Sequence, residues 1–195
     1  MSKPADTDKP LLEAIAKRWS PRAFAEREPT DAELELVFEA ARWAASCFND
    51  QPWRYILVRR TEPEFADALA GLVESNQAWA REAPVLGFSL AQPSFTQTGK
   101  PNMHAWHDVG AASALLSIQA ASIGLLVHQM AGIQRDVVRE RFAVPDQFEV
   151  VAGLAMGWPG DPQQLAEPYR ERELAPRSRR ALSETLIRGR FGESE

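Results

Sequence analysis

The sequence predicts a mixed fold, of class α+β or α/β, in which one sheet is covered by helices. Two observations support this. Apolar residues follow helical spacing in some segments and form short strand-like runs in others, with helical residues in the majority. The length of 195 residues is that of one domain with a sizeable core, and the composition, 45% hydrophobic and 25% charged, is that of an ordinary globular protein.

Two helices are predicted in the first quarter of the chain. The first ends near Trp19 and is indicated by apolar residues at helical spacing, namely Leu11, Leu12, Ile15 and Ala16. Thr30 followed three residues later by Glu33 is a capping-box pattern, so a second helix is expected to begin there. Its apolar face comprises Leu34, Val37, Phe38 and Ala41.

The next part of the chain alternates strands with a helix. Residues 55–58 and 84–90 are short apolar runs typical of strands, and residues 63–80 between them are predicted to form one helix. Residues 92–103 contain two prolines, a glycine and several polar residues, which predicts a loop. Loops of this length in compact domains often cover a site.

Residues 109–127 carry no charge and reach the length of a membrane span. Alanine dominates this stretch and glycine, serine and glutamine interrupt it, so a helix buried against other helices is the better interpretation. A short charged helix is predicted over 134–142 and a strand over 150–156. After Pro159 the apolar pattern thins, and the last thirty-odd residues are expected to form an extended arm against another subunit.

Composition and charge exclude several classes of function. A net charge of −5 and a pI of about 5.4 disfavour nucleic acid as a partner. The single Cys47 cannot form an intramolecular disulfide, which suits a reducing compartment. His104, His107 and His128 have no neighbours that would complete a zinc site and are interpreted as surface or helix-end residues. With no signal peptide visible, we expect a cytoplasmic protein that has no membrane partner.

Two arginine-rich clusters allow more than one interpretation. Residues 18–22, Arg-Trp-Ser-Pro-Arg, place two guanidinium groups and a hydroxyl beside a predicted helix end. Such a cluster either holds phosphate or carboxylate oxygens or is an exposed, charged helix terminus. Residues 177–180, Arg-Ser-Arg-Arg, are either a second anion-binding element or a solvated run of charge.

Polar side chains and glycines mark two further segments. Residues 44–53, Ala-Ala-Ser-Cys-Phe-Asn-Asp-Gln-Pro-Trp, contain Asn and Gln side chains that both donate and accept, as the edge of a pyrimidine-like ring requires. The alternative is a helix C-cap and turn with a buried tryptophan. Glycines at 124 and 132 would let a ligand approach the backbone closely.

Motifs of several enzyme classes are missing. The sequence contains no GxSxG, Walker loop, HExxH or GxGxxG, and nothing nearby activates Cys47, which is interpreted as a small packed residue. No catalytic side chain and no metal ligand are therefore named.

The order of these elements resembles the FMN-dependent nitroreductase family, in particular its compact subgroup. The matching features are Arg-x-Ser-x-Arg at 18–22, Ser-x-x-Asn-x-Gln-Pro-Trp at 46–53, and Asn-Gln-Ala-Trp at 76–79 before Ala-Pro. Further matches are an Ala-rich helix opened by Asp108, Gly-Trp-Pro at 157–159 near the family's Gly-Tyr-Pro, and the basic arm at 177–179. The resemblance covers residues 10–190 and implies a single FMN-binding domain.

The family resemblance implies an α+β fold with a mixed sheet flanked by helices, and an intertwined homodimer with an extended C-terminal arm. Two FMN sites would lie at the subunit interface. By position, Arg18, Trp19 and Ser20 would lie at the phosphate with Arg177 and Arg179 from the arm, and Arg22 at the N1 and O2 edge of the flavin. The other implied cofactor contacts are Ser46 and Asn49 from the partner, Gln51 to position them, Asn76 at the pyrimidine edge, and the backbone amides of Ala131 and Gly132 near N5 and O4.

The implied activity is ping-pong transfer of hydride from NAD(P)H through FMN to a small organic acceptor such as a nitroaromatic compound or a quinone. The loop at 92–103, with Phe95 and Met103, would act as a lid and specificity element. Three positions depart from the family: Ala45 and Cys47 stand where proline and serine are common, and Ala131 where some members have an acidic residue. The alternatives are a flavin-binding storage or sensor protein and a dimeric scaffold without flavin.

Overall fold

The computed structural model describes residues 2–191, in which seven α-helices and four strands alternate. The helices are α1 (Glu13–Lys17), α2 (Asp31–Arg42), α3 (Phe65–Ala70), α4 (Glu74–Ala80), α5 (Ala105–Ser122), α6 (Arg135–Arg141) and α7 (Tyr169–Leu174). The strands are β1 (Trp53–Arg59), β2 (Val85–Ala91), β3 (Leu126–Met130) and β4 (Glu149–Gly157). Short 3-10 turns lie at Cys47–Asn49, Pro162–Gln164 and Leu182–Glu184.

The four strands form one sheet in the order β1-β2-β4-β3. Trp53 pairs with Ala91, Val85 with Met156, and Leu126 with Gly157. The α+β class with a helix-flanked sheet is confirmed. The expected mixed sheet is instead antiparallel in every pairing between these four strands.

Helices cover both faces of the sheet because its central strand is apolar on both sides. All seven residues of β2 are buried, and alternate side chains enter different clusters, as the two-residue period of a strand requires. Leu86 and Phe88 pack with residues of α3, α4 and α6, whereas Val85 and Ala91 pack with α2 and α5. The sheet therefore lies between two helical layers. In the strand order β3 stands at one edge of the sheet, and the candidate site lies beside it.

The second helix begins where the capping-box pattern predicted. Thr30 Oγ1 accepts from the backbone N–H of Glu33 at 3.2 Å, and Glu33 Oε2 accepts from the backbone N–H of Thr30 at 2.8 Å. Two of the orphan N–H groups at this helix end are thereby satisfied. Leu34, Val37 and Ala41 form its buried face, as predicted.

The single helix predicted over residues 63–80 is wrong, because the structure divides it into α3 and α4. Between them Leu72 forms an isolated antiparallel bridge with Ile133, which draws the chain out of the helix. Gly71 fits this bend closely: a Cβ there would lie 2.6 Å from Val138 Cγ2 and 2.8 Å from Phe88 Cζ. These partners are distant in sequence, so helical periodicity alone could not indicate the break.

The charge-free stretch at 109–127 is only partly helical. Helix α5 ends at Ser122, Gly124 turns the chain with φ +82°, and the remaining apolar residues enter β3. Within residues 2–191 no helix is long and apolar enough to cross a membrane. The first helix is also shorter than predicted, since α1 ends at Lys17.

The chain after Pro159 does not continue as an extended arm directly. Pro159 bridges to Phe24, and α7 then packs on the body of the domain through Glu173, whose side chain is buried. From residue 175 to 191 every residue is exposed except the half-buried Arg177. The last four residues of the predicted arm, 192–195, lie outside the described residues.

Candidate functional site

A cleft lies beside the edge strand β3, between α1 and the outer side of α5. Its volume is about 400 Å³. Arg18, Ser20 and Gln129 supply polar groups, and the remaining lining residues are Ile15, Ala114, Ser117, Ile118 and Val127. Gln129 is held in place because its Nε2 donates to Ser113 O at 3.1 Å and to Ser117 Oγ at 3.0 Å. A volume of this size lies within the range of small-molecule sites.

Three of the predicted arginines, Arg18, Arg177 and Arg179, lie close enough to interact electrostatically, and Arg18 lines this cleft. Arg18 is the C-cap residue of α1, and its Nη1 lies 3.5 Å from Ser20 Oγ. Burial, together with the charges of Arg177 and Arg179, lowers the pKa of Arg18 below its ordinary value. In the described part of the chain no carboxylate lies within 4.0 Å of any of these three guanidinium groups. A cluster of like charges that lacks a counter-ion favours an anionic ligand.

The C-terminal arginines come from the same chain as Arg18. Arg177 Nη1 donates to Lys3 O at 2.7 Å and to Ala16 O at 2.8 Å, which fixes this part of the C-terminal segment against α1. Arg179 Nη1 donates to Ser178 O at 2.7 Å. Arg177 therefore also stabilises the fold, a role that the sequence did not indicate, because its Nη1 donates to two backbone carbonyls.

Arg22 lies next to the cluster but differs from it in having a carboxylate partner. Its Nη1 lies 4.0 Å from Glu173 Oε2, and its guanidinium carbon lies 5.9 Å from the centre of the Trp79 ring. Burial is the main cause that lowers the pKa of Arg22, and Glu173 opposes it. Sequence reasoning missed Glu173, since a single acidic residue in a polar segment gives no signal of burial.

Trp19 is placed differently from the other residues of its motif. Its side chain is 5% exposed and packs with Ala121 and Leu126, and Lys3 Nζ lies 5.1 Å from the ring centre. The indole thus anchors the segment to α5 and β3 while Arg18 and Ser20 line the cleft, and the cofactor contact at Trp19 stays a prediction.

His128 is a half-buried strand residue rather than the predicted surface or helix-end histidine. Its Nδ1 lies 2.9 Å from Pro21 O, and since a carbonyl only accepts, Nδ1 carries the proton. The imidazole packs on Trp79 with ring centres 4.5 Å apart. Burial, and to a lesser degree the charges of Arg22 and Arg18, lowers the pKa of His128 to about 4. The neutral ring thus links β3 to the Arg18–Arg22 segment.

Asn76 and Gly132, two of the predicted cofactor contacts, meet just beyond the end of β3. Asn76 Nδ2 donates to Gly132 O at 3.0 Å, and the backbone N–H of Val73 donates to the same oxygen at 3.1 Å. A Cβ on Gly132 would lie 2.6 Å from Asn76 Nδ2, so the approach requires glycine. Ala131 precedes this contact and its carbonyl accepts from the backbone N–H of Ile133 at 3.0 Å.

Ser46, Asn49 and Gln51 lie in one turn and are hydrogen-bonded to one another. Ser46 Oγ accepts from Gln51 N at 3.1 Å, and Gln51 Nε2 donates to Asn49 O at 3.1 Å. Positive φ values at Phe48, Asn49 and Gln51 (52°, 55° and 51°) show that three residues without glycine's freedom adopt the left-handed region. Such backbone strain is often found at functional sites.

This turn is distant from the arginine cluster of its own chain. The backbone N–H of Cys47 donates to Asp108 Oδ2 at 3.0 Å in the first turn of α5, whereas Ser117 of the same helix lines the arginine cleft. Nine residues of helix separate Asp108 from Ser117 by about 13 Å, and six residues separate it from Ala114, which also lines the cleft, by about 9 Å. In residues 2–191 no hydrogen bond joins the turn to the arginine cluster.

The loop at 92–103 packs against the same turn. Phe48 is 88% exposed, and its ring contacts that of Phe95 edge to face with centres 5.8 Å apart. Asp50 Oδ1 accepts from the backbone N–H of Thr96 at 2.9 Å, which joins the loop to the turn. A second cleft of about 400 Å³ lies here, and Lys100 is among its lining residues. Among residues 2–191 no three His, Cys, Asp or Glu side chains are grouped to hold a metal ion.

Comparison with known proteins assigns this α+β fold to one family. The profile of the nitroreductase family matches residues 15–158. The chain belongs to the nitroreductase family. It is 33% identical to a crystallised oxidoreductase containing FMN, with a TM-score of 0.90 and coverage of 97% of this chain and 96% of that one. A nitroreductase family protein from Clostridium difficile 630 is 25% identical, with a TM-score of 0.68 over 89% and 95% of the two chains.

Two curated relatives also match most of the chain. An uncharacterized 15.4 kDa protein of Mycolicibacterium smegmatis is 37% identical over 147 residues, which are 71% of this chain and 97% of the relative. A protein of Archaeoglobus fulgidus is 23% identical over 161 residues, 80% of this chain and 89% of its own, and carries the provisional name NADH dehydrogenase/NAD(P)H nitroreductase.

Proposed function

We propose that this protein is an FMN-dependent oxidoreductase that transfers hydride from NAD(P)H through the bound flavin to a small organic acceptor. The observation that carries the proposal is the cluster of Arg18, Arg177 and Arg179, which lacks a carboxylate partner in residues 2–191 and borders a cleft. Support comes from the family and from the 33% identical oxidoreductase, which contains FMN.

The donor groups beside β3 fit the two ends of FMN. The phosphate is a dianion with planar sets of oxygens, and guanidinium groups match these better than any other side chain. Arg18, Arg177 and Arg179 with the Ser20 hydroxyl would hold it at one end of the cleft. This places the most concentrated positive charge of the site against the only charged group of the cofactor.

The other end of β3 would receive the flavin ring. Asn76 and the backbone at Ala131 and Gly132 offer the amide groups that a pyrimidine edge requires, and glycine at 132 allows close approach. The Arg22 guanidinium would lie near N1 and O2, where a fixed positive charge stabilises reduced, anionic flavin. His128 stays neutral at physiological pH because burial lowers its pKa to about 4, so it adds no competing charge.

When bound, FMN would supply the hydride-transfer chemistry that links NAD(P)H to the acceptor in a ping-pong sequence. The protein contributes binding, orientation and a fixed electrostatic environment, so no catalytic side chain is assigned. Relatives such as the Archaeoglobus fulgidus protein, named for both NADH and nitro compounds, support this pairing of substrates. Nitroaromatic compounds and quinones are the proposed acceptors.

The working unit is proposed to be a cytoplasmic homodimer with two flavin sites. Helix α5 exposes a stripe of apolar and small residues, Trp106, Gly110, Ala114 and Leu115, and Ala114 also lines the arginine cleft. A second copy on this face would bury that stripe and bring the partner's turn, with its Ser46, Asn49 and Gln51, to the cleft. The loop at 92–103 would then serve as a lid that selects acceptors.

The proposal is tested by the absorbance spectrum of the purified protein and by stopped-flow mixing with NADH and NADPH. We expect a flavin spectrum, either as purified or after adding FMN, and bleaching within seconds by one of the two nucleotides. Flavin that binds but does not bleach would favour the storage or sensor alternative. A colourless protein that takes up no FMN would favour the scaffold without flavin.

A further inference from the structure

The Glu173 carboxylate is almost completely buried, with 1% of the residue exposed. It lies on α7 and accepts from the backbone N–H of Arg22 at 3.0 and 3.1 Å and from that of Ala23 at 3.2 Å. These N–H groups belong to residues two and three positions after Ser20 in the chain. A side chain from the C-terminal segment therefore binds the segment that forms one wall of the arginine cleft.

The same residue is part of a closed junction between three segments. Lys3 Nζ donates to Glu173 O at 2.7 Å, and Lys3 O in turn accepts from Arg177 Nη1 at 2.7 Å. Arg177 Nη1 also reaches Ala16 O of α1. Glu173, four residues before Arg177, thus fixes the point from which the C-terminal arginines extend toward Arg18.

The electrostatics show why this position needs a carboxylate. Burial raises the pKa of Glu173, while the N–H groups of Ala23 and Arg22 and the charges of Arg22 and Lys3 oppose that rise. The two carboxylate oxygens accept from the backbone N–H groups of Arg22 and Ala23, whereas Lys3 Nζ donates to the backbone carbonyl of Glu173. An amide in this place removes the negative charge and turns an NH₂ group toward the backbone N–H of Arg22, so the contact of that N–H with Oε2 is lost and two donors face each other.

We propose that Glu173 is a positioning residue that assembles the phosphate site by docking the C-terminal arginines beside Arg18. It does not touch the ligand itself. The inference rests on the proposed function, because it takes the arginine cluster to be the site of the FMN phosphate. The new element is that the buried Glu173 carboxylate on α7, which no sequence pattern indicated, determines where the arginines of that cluster lie.

Riboflavin provides the discriminating probe, since it shares the ring of FMN but has no phosphate. A residue that only stabilises the fold affects both ligands equally, whereas a residue that assembles the phosphate site weakens FMN binding more than riboflavin binding. The variants are Glu173→Gln, which removes the charge, Glu173→Asp, which keeps the charge on a shorter side chain, and Glu171→Gln. Glu171 is exposed on the same helix α7 and is the matched control for the loss of one negative charge.

The experiment titrates each full-length protein, stripped of flavin, with FMN and with riboflavin and follows the quenching of flavin fluorescence. For Glu173→Gln we expect FMN affinity to fall about tenfold or more, the effect of one or two lost charge-assisted contacts, while riboflavin affinity, which the change reaches only through Arg22, falls clearly less. Glu173→Asp should show a smaller loss that is again larger for FMN than for riboflavin, and it replaces Glu173→Gln if that variant does not fold. Glu171→Gln should match the wild type.

Equal losses for the two flavins, or no loss for either, would overturn the positioning role of Glu173. A wild-type protein that binds neither flavin would refute the proposed function instead. Wild-type protein that binds both flavins equally would remove the phosphate assignment of the arginine cluster. The results therefore distinguish a failure of the positioning role from a failure of the proposed function and from a failure of the phosphate assignment.

Discussion

The histidine at position 128 makes the stability of this protein depend on pH in a defined direction. Its Nδ1–H donates to Pro21 O and its ring packs on Trp79. Burial is the largest cause that lowers its pKa from 6.5 to about 4. Protonation would place a third positive charge beside Arg18 and Arg22 in a site with little access to water, so the folded state favours the neutral ring.

The magnitude follows from the difference between the folded and unfolded pKa values. Because the folded pKa is the lower one, the unfolded chain binds the proton more readily, and stability falls as pH decreases from 6.5 towards 4. A difference of two to three pKa units corresponds to about 3 kcal/mol in full. Between about pH 7.5 and about pH 5, where the histidine of the unfolded chain is almost fully protonated, the loss is about 2 kcal/mol.

Urea unfolding of flavin-free protein at these two pH values measures the effect, with His128→Gln as the test variant. Glutamine can still donate to Pro21 O but does not titrate, so the variant should lose about 2 kcal/mol less than the wild type over this interval. His107→Gln, at an exposed position on α5, is the matched control and should behave as the wild type. If His128→Gln and the wild type lose stability equally, His128 is not held neutral by its surroundings and the reasoning fails.

Three further substitutions test the packing, the ring end of the site and the dimer. Leu116→Ala empties a fully buried position of α5 and should cost about 3 kcal/mol of unfolding free energy in urea. Gly132→Ala places a Cβ 2.6 Å from Asn76 Nδ2, so flavin affinity should fall while far-ultraviolet circular dichroism stays unchanged. Gly110→Glu puts a charge on the exposed α5 face without a clash within the chain; we expect a monomer by light scattering, with Gly110→Ala dimeric. A dimeric Gly110→Glu protein would place the interface elsewhere.

Local patterns predicted those elements whose causes are local. Thr30 and Glu33 are three residues apart, and the capping box they form is present at the start of α2. The apolar stripe of that helix is likewise a property of consecutive residues. In such cases the side chains that decide the structure lie within one or two turns, and the sequence displays them together.

The errors arose where distant residues decide the local conformation. The break between α3 and α4 depends on Leu72 pairing with Ile133, about sixty positions away, and on Gly71 meeting Val138. The boundary between α5 and β3 could not be located because the first residues of β3 continue the apolar run of α5 past Gly124. Tertiary contacts override helical periodicity in both regions.

The same distinction between local and distant causes applies to the residues of the candidate site. The arginines at 18, 177 and 179 could be proposed because basic residues are visible in sequence and the family resemblance gave them a shared task. Glu173 could not, since its burial arises from N–H groups 150 and 151 positions earlier. His128 was misplaced for a similar reason: its environment comes from Pro21 and from Trp79, and neither is near it in the chain.

The central claim is that the arginine cluster holds the phosphate of FMN, and a binding titration of the double variant Arg18→Ala with Arg179→Ala tests it most directly. Each charge-assisted contact contributes about 1.5–3 kcal/mol, so the loss of two should weaken FMN binding by a factor on the order of 100 or more. The circular dichroism spectrum and riboflavin affinity should stay as in the wild type. Unchanged FMN affinity in the double variant would contradict the account.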